Sequence, residues 1–294
     1  MTAALPTVDE VLTLGVLEPL HRPILLVGLT GWFDAANVAT TALAQLAPWD
    51  TSVTVGVIDP DPFYDFTQER PMVELIDGEH RHVTWPANDF QVVRTGTAHD
   101  LIVLSGVEPH LAWRTYAGCV VRVVEQLSCD AVVTVGAMAD AVPHARPPIV
   151  VGSTSSPDLA QRLGLSAPTY QGVTGLIGAL HVELEERRVP TISLRVGVPH
   201  YLGHAEHPMA TAALLQHLAH VLSVPIAVDL QDQIDRWAAL HDEAIAGDQQ
   251  LRTYVSMLEA DYDRRAEATL RGADDLAARF EEFLREQRPE DDGP

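Results

Sequence analysis

The stretch Ile24-Leu-Leu-Val-Gly-Leu29, followed by Thr30-Gly31-Trp32-Phe33-Asp34, decides the fold class. Its first six residues form an unbroken apolar run rich in branched side chains, which is typical of a β-strand buried on both faces. The segment from Ala35 to Leu46 then has the pattern of a helix. A buried strand that leads through a glycine-containing turn into a helix predicts the first unit of an α/β fold with a parallel sheet.

The same alternation of apolar strands and helices continues through the first two-thirds of the chain. A hairpin interrupts it: two runs that alternate at period two are joined by Asp77-Gly78, a turn signal. We therefore predict an α/β fold with a mixed, mainly parallel sheet flanked by helices. The further predicted strands are 52–58, 72–76, 80–85, 100–105, 131–136 and 191–196, and the further helices are 113–127, 174–188 and 210–222.

From Asp229 onward the pattern changes to helix alone. Apolar residues recur every three to five positions, which indicates amphipathic helices. We predict an α/β domain over residues 1–226 and a helical C-terminal appendage over 227–294, with a disordered tail from about 288. The three predicted stripes, separated by Gly247-Asp248 and Arg271-Gly272, are Leu230, Ile234, Trp237, Leu240 and Ile245; Leu251, Tyr254, Val255, Leu258 and Tyr262; and Leu276, Phe280, Phe283 and Leu284.

The charge balance excludes several function classes. The formal net charge is −22, and all 19 basic residues are arginines. A strongly negative surface repels phosphate backbones and anionic lipids, so neither nucleic acid nor a membrane is an expected partner. Without lysine there is no Walker A lysine for ATP and no Schiff-base lysine for pyridoxal phosphate. We expect no cofactor.

The cysteines and the N-terminal residues indicate the cellular compartment of the protein. Cys119 and Cys129 form no CxxC motif, and two cysteines make no disulfide framework, which favours a reducing compartment. The N-terminal residues lack the basic and apolar regions of a signal peptide, and no apolar run reaches about 18–20 residues. We therefore expect a cytoplasmic protein.

Polar residues collect where the predicted strands end, which is where open α/β folds build their sites. In one interpretation Glu108 and His144 move a proton, Arg146 holds an anion, and backbone amides near residues 172–175 stabilise negative charge. In the other, which we favour because strand ends commonly need caps and turns, Arg146 pairs with Asp34 or Glu108. The full candidate cluster is Asp34, Glu108, His144, Arg146, Tyr170, Thr174 and His200.

Other chemistry has weaker support in the sequence. His200, His204 and His207 are close enough to suggest a metal, but Gly203 and Pro208 break any helix that would align them, so we predict no metal site. No Gly-x-Ser-x-Gly elbow and no Gly-x-Gly-x-x-Gly motif after the first strand is present, which leaves acyl transfer and dinucleotide binding without support.

A series of short motifs resembles the PAC2 (proteasome assembly chaperone 2) family, in its uncharacterised actinobacterial branch. Each motif is weak alone, but their order and spacing match along nearly the whole chain, up to Phe280-Glu-Glu-Phe-Leu-Arg285. The motifs are Gly31-Trp-Phe-Asp-Ala35, Phe63-Tyr-Asp-Phe66 with Arg70-Pro71, Trp85-Pro86, Gly106-Val-Glu-Pro109 with Trp113-Arg114, Pro143-His-Ala-Arg-Pro147, Tyr170-x-Gly-x-Thr-Gly175 and Pro199-His-Tyr201.

The resemblance implies a phosphorylase/hydrolase-like α/β core with added helices. It also implies that the chain forms a homo-oligomer, namely a trimer, and that it has a proteasome-related protein partner. It supplies no catalytic residues. Relatives that dock into proteasomes tend to end in a hydrophobic-Tyr-any-residue tail, whereas this chain ends Asp292-Gly293-Pro294. Two hypotheses remain open: an assembly or interaction factor, and a hydrolase or phosphorylase acting on a small, nucleoside-like ligand with Glu108, His144 and Arg146 at the site.

Overall fold

The structure is a computed structural model that describes residues 5–47, 52–203 and 205–286. This part of the chain contains ten strands, eight α-helices and two short 3-10 helices, Ala35–Asn37 and His200–Leu202. The strands are β1 (Leu12–Leu14), β2 (Ile24–Thr30), β3 (Val53–Ile58), β4 (Met72–Ile76), β5 (His80–Thr84), β6 (Asn88–Val93), β7 (Leu101–Val107), β8 (Ala131–Asp140), β9 (Val150–Ser153) and β10 (Thr191–Pro199). The helices are α1 (Val8–Val11), α2 (Val38–Leu46), α3 (Trp113–Gln126), α4 (Pro157–Leu163), α5 (Leu176–Glu186), α6 (Pro208–Leu222), α7 (Gln231–Ala246) and α8 (Gln249–Glu286).

Eight of the strands form one mixed sheet in the order β1-β3-β6-β7-β2-β8-β10-β9. The central strands β7, β2, β8 and β10 are parallel to their neighbours in that group. β6, β3 and β1 extend the sheet on one side and β9 on the other, all antiparallel. The predicted mixed α/β fold with flanking helices is confirmed, and β4 and β5 form the predicted hairpin as a separate two-stranded sheet.

The sheet divides two apolar cores, and β2 contributes to both. Leu26 packs in a core shared with α2 and α6, whereas Leu25 and Val27 pack in the opposite core with α3 and α5. This alternation follows from the period-two geometry of a strand, and it explains why the run from Ile24 is apolar at every position. The helices α2 and α6 therefore cover one face, and α3 and α5 the other.

The helix predicted from Ala35 begins later than the sequence pattern indicates. Ala36 and Asn37 have φ angles of 57° and 53°, so residues 35–37 form a 3-10 turn and α2 starts at Val38. The pattern also missed β1, β6, β9, α1 and α4. Three of these have only three or four residues, too few for a hydrophobic period to stand out.

The C-terminal residues form two helices rather than three. α8 runs through the expected break at Arg271-Gly272, because a single glycine inside a helix costs only about 1 kcal/mol relative to alanine. Trp237, Ile245 and Val255 are buried as their stripes predict, but Leu240 is 65% exposed. The third stripe's side chains and the tail predicted from about 288 lie outside the described residues. None of the described helices is long and apolar enough to cross a membrane.

Candidate functional site

The carboxyl ends of β2 and β7 form a crevice. The chain leaves β2 toward α2 on one face of the sheet and leaves β7 toward α3 on the other, so the two connections diverge. Open α/β sheets bind ligands at such a switch point. The crevice encloses about 560 Å³, and its lining includes Trp32, Gln68, Glu69, Glu108, His110 and Trp113.

Glu108 connects the three segments around this crevice. One carboxylate oxygen accepts a hydrogen bond from the backbone N–H of Trp32 at 3.1 Å, and the other accepts from the N–H of Leu176 at 3.0 Å. Leu176 is the first residue of α5, where a negative charge is favoured by the helix dipole. At Gly31, φ is 143° and a Cβ would lie 2.7 Å from the Glu108 carboxylate, so glycine permits this approach.

Replacing Glu108 with glutamine is expected to lower the free energy of unfolding by about 1–3 kcal/mol, because the new amide NH₂ would face a backbone donor. Glu69→Gln is the matched control. Glu69 lines the same crevice and its side chain makes no hydrogen bond or ion pair within the described residues, so its change should stay within about 0.5 kcal/mol. Urea unfolding followed by circular dichroism measures both variants, and equal effects would contradict the assignment.

Asp34 caps the start of α2. Its Oδ1 accepts from the N–H of Ala39 at 2.7 Å, and its Oδ2 accepts from the Thr40 hydroxyl at 2.5 Å and the Thr40 N–H at 3.3 Å. Burial raises the pKa of Asp34, and these hydrogen bonds act in the opposite direction. Its 4% exposure and full set of partners describe a group that holds a helix in place.

His144 joins the end of β8 to α7. Its Nδ1 lies 2.8 Å from the Tyr201 hydroxyl, and its Nε2 lies 3.0 Å from Asp242 Oδ1 on α7. Burial raises the pKa of Tyr201 to about 12, so Tyr201 remains a hydroxyl that donates to Nδ1. A neutral imidazole protonated at Nε2 satisfies both contacts, with Asp242 accepting.

Arg146 and His200 contact α8. Arg146 donates to both oxygens of Asp263 at 2.8 and 2.9 Å and to Glu259 at 3.1 Å. The hydrogen bond to Asp263 raises the pKa of Arg146, and the pKa of Asp263 is lowered by the same contact. His200 lies 2.9 Å from the Asp140 carbonyl and 3.2 Å from the Tyr254 hydroxyl.

Tyr170 and Thr174 lie on the exposed loop before α5. The Tyr170 hydroxyl donates to the Val173 carbonyl at 2.7 Å, while the ring is 71% exposed. The Thr174 hydroxyl donates to the Gly175 carbonyl at 3.4 Å. Gly175 is itself in contact with the crevice, because a Cβ there would lie 3.1 Å from both Glu108 and Trp32. The end of the loop therefore packs against two residues of the crevice lining.

The candidate residues thus form two groups, with Asp34 apart from both at the start of α2. Glu108 lines the crevice and Tyr170 and Thr174 lie on the loop that ends beside it, whereas His144, Arg146 and His200 hold the C-terminal helices. The expected pairing of Arg146 with Asp34 or Glu108 is wrong, because the Arg146 guanidinium forms ion pairs with Glu259 and Asp263 of α8 instead. Within the described residues, no hydrogen bond or ion pair links Glu108 to His144 or Arg146.

A third cluster around Trp237 was missed as a site in the sequence. The ring of His207 stacks on Trp237 at a centroid distance of 4.2 Å, and His241 lies at 4.4 Å. His207 also caps α6, since its Nδ1 accepts from the N–H of Ala210 at 3.3 Å. The spacing of Trp237 and His241 by four residues predicts that their side chains are neighbours on one helix. The contact of Trp237 with His207 depends on the tertiary fold and has no local sequence signal.

The fold and crevice define an α/β protein with a mixed sheet, a switch-point crevice and C-terminal helices held by buried and paired polar groups. The PAC2 family model matches residues 28–245. This is well over half of the chain, and the chain therefore belongs to the PAC2 family.

Solved structures agree with this membership. A PAC2 family protein from Streptomyces avermitilis is 34% identical with a TM-score of 0.72, and a proteasome-assembly chaperone homologue from Mycobacterium tuberculosis is 34% identical with a TM-score of 0.71. Each match covers 79% of this chain and 99% of the other. A Mycobacterium tuberculosis protein of unknown function, 23% identical with a TM-score of 0.79, covers 93% of this chain and 95% of its own and supports the fold alone. No curated protein matches the chain.

Proposed function

We propose that this chain is an assembly or interaction factor of the PAC2 family that works as a homotrimer in the cytoplasm and contacts a proteasome-related protein. The observation that carries the proposal is the 34% identity to a proteasome-assembly chaperone homologue over 79% of the chain. A role in binding rather than catalysis agrees with the use of the strand-end polar groups, because Asp34, His144 and Arg146 each hold a helix.

The exposed side chains support a binding role as well. Trp32 is 66% exposed at the crevice and Leu111 is 53% exposed on the loop after β7. Large apolar side chains gathered at the surface mark interaction sites, and tryptophan is enriched among the residues that dominate binding energy. The crevice is therefore the surface that we assign to the partner protein.

Reconstitution of proteasome assembly tests this function. Proteasome α and β subunits from the same organism are mixed with and without the chain, and native gels follow the appearance of half-proteasomes and complete particles. We expect the chain to change the assembly rate and to migrate with an intermediate, and we expect Trp32→Ala to weaken both effects. An unrelated protein of equal negative charge is the control. An unchanged rate without comigration would contradict the proposal.

The crevice also favours a second candidate function, a hydrolase or phosphorylase acting on a small, nucleoside-like ligand. His110 accepts from the Asp65 N–H through Nδ1 at 3.1 Å, so its Nε2 carries the proton and can donate. Together with the faces of Trp32 and Trp113, this gives aromatic surface and a donor around a cavity of about 560 Å³. The volume lies within the range of small-molecule sites.

A thermal-shift screen of nucleosides, phosphate and carboxylates tests the second candidate. A true ligand should raise the melting temperature of the wild type and of Trp85→Ala, a tryptophan outside the crevice lining, but not that of Trp32→Ala. No shift with any compound, or an equal shift in all three proteins, would remove this candidate.

A further inference from the structure

The β4–β5 hairpin exposes an unusual amount of apolar surface. All ten residues of its two strands are exposed. Trp85 packs on Phe66 at a ring-centroid distance of 4.8 Å, which links the hairpin to the body. A two-stranded hairpin is marginally stable by itself, and exposed apolar patches beyond several hundred Å² mark interfaces. The large apolar side chains, each 43–65% exposed, are Met72, Val73, Leu75, Ile76, Val83 and Trp85.

Both faces and both edges of the hairpin are open. The register pairs Val73 with Val83 and Leu75 with Arg81, which places these four on one face. Met72 and Ile76 lie on the opposite face. Among the residues that the structure describes, each strand pairs only with the other, so each also offers unpaired backbone N–H and C=O groups along its outer edge. Such edges recruit another strand.

Charge argues for a second copy of this chain as the occupant. Two copies of net charge −22 repel each other, and contact is least costly where the local charge is small. Segment 70–85 carries two arginines and three carboxylates, a net charge of −1. Glu74 and Arg81 lie in it and form no ion pair in the part of the chain that the structure describes, so each copy offers both a free anion and a free cation to its neighbour.

We propose that the β4–β5 hairpin is the contact through which copies of this chain associate. This inference rests on the homo-oligomer of the proposed function and assigns the surface that forms it. The apolar side chains of the hairpin pack against the neighbouring copy, the open strand edges pair across the contact, and Glu74 and Arg81 find partners there. The acidic remainder of each copy's surface lies outside the contact, so its charges are not brought close to those of the neighbouring copy.

A matched pair of substitutions tests the assignment. Leu75→Glu places a charge on the hairpin, and Leu240→Glu places the same charge on α7 at a leucine of nearly equal exposure, 64% against 65%. Light scattering after size-exclusion chromatography measures the mass of each protein across a concentration series. We expect an oligomer for the wild type and Leu240→Glu, and a dissociation constant raised at least tenfold for Leu75→Glu. Circular dichroism and amide hydrogen exchange, with loss of protection confined to residues 72–84, establish that Leu75→Glu remains folded.

The outcomes separate this contact from the proposed function. A wild-type chain that is monomeric at every concentration overturns the homo-oligomer and the hairpin contact together. An oligomeric wild type with an equally oligomeric Leu75→Glu overturns the hairpin contact alone, as does equal dissociation of Leu240→Glu. If Leu75→Glu is unfolded, Val83→Glu replaces it in the same comparison and is judged by the same masses.

Discussion

Replacing Trp237 with alanine is expected to lower the free energy of unfolding by about 3–5 kcal/mol, the usual cost of truncating a buried tryptophan. Trp237 is 8% exposed, and its ring contacts His207 of the α6 cap and His241 of its own helix. It also meets His144 edge-on at 6.2 Å, so the truncation removes packing that joins α7 to two other segments.

Urea unfolding and limited proteolysis measure this effect. In Trp237→Ala we expect earlier unfolding and faster cleavage within α7 and α8 than in the wild type. Trp32→Ala is the control, because that ring is 66% exposed and its loss should cost far less stability. Equal stability of the two variants would contradict the role of Trp237 as the anchor of the C-terminal helices.

Acidification is expected to weaken the same junction through His207. Burial, and next the neighbouring His241, lower the pKa of His207 to about 4. The unfolded chain binds the proton near pH 6.5, so the neutral ring contributes stability above pH 6.5 and loses it as the pH falls toward 4. A pKa difference of this size corresponds to roughly 3 kcal/mol.

The comparison with His207→Asn isolates this contribution. Asparagine supplies a side-chain acceptor for the start of α6 but does not titrate in this range. Urea unfolding of both proteins at pH 7.5 and 4.5 gives the loss on acidification. We expect the wild type to lose more, by up to roughly 3 kcal/mol. If both proteins lose the same free energy, the pH dependence arises from other groups, such as the carboxylates, and the prediction is wrong.

The elements with strong periodic patterns could be predicted from sequence, and the short or irregular ones could not. The apolar run from Ile24 and the Asp77-Gly78 turn each contain enough signal to define a strand and a hairpin. By contrast, β6 begins with the polar residues Asn88 and Asp89, which obscure the apolar pattern of a strand. The remaining side chains of β6 are mostly buried. Its burial comes from pairing with β3 and β7, which the local sequence does not encode.

The candidate site shows the same division. Position at a strand end is a local property, and it drew attention to Glu108 and His144. Their partners are not local: Glu108 meets α5, 68 residues later, and His144 meets Asp242, 98 residues later. Three acidic residues of α7 and α8, Asp242, Glu259 and Asp263, each bind a strand-end residue, and the local pattern of these helices does not encode those contacts.

The parallel centre of the sheet also constrains how the chain acquires its structure during synthesis. Ile24 pairs with Leu101 on one side and with Ala131 on the other. A nascent chain therefore carries the apolar β2 strand without a sheet neighbour until β7 has left the ribosome, and without its second neighbour until β8 has done so. Pairings so distant in sequence slow folding and prolong the exposure of aggregation-prone segments. Pairing of β2 on both sides is consequently complete only after more than a hundred further residues have been synthesised.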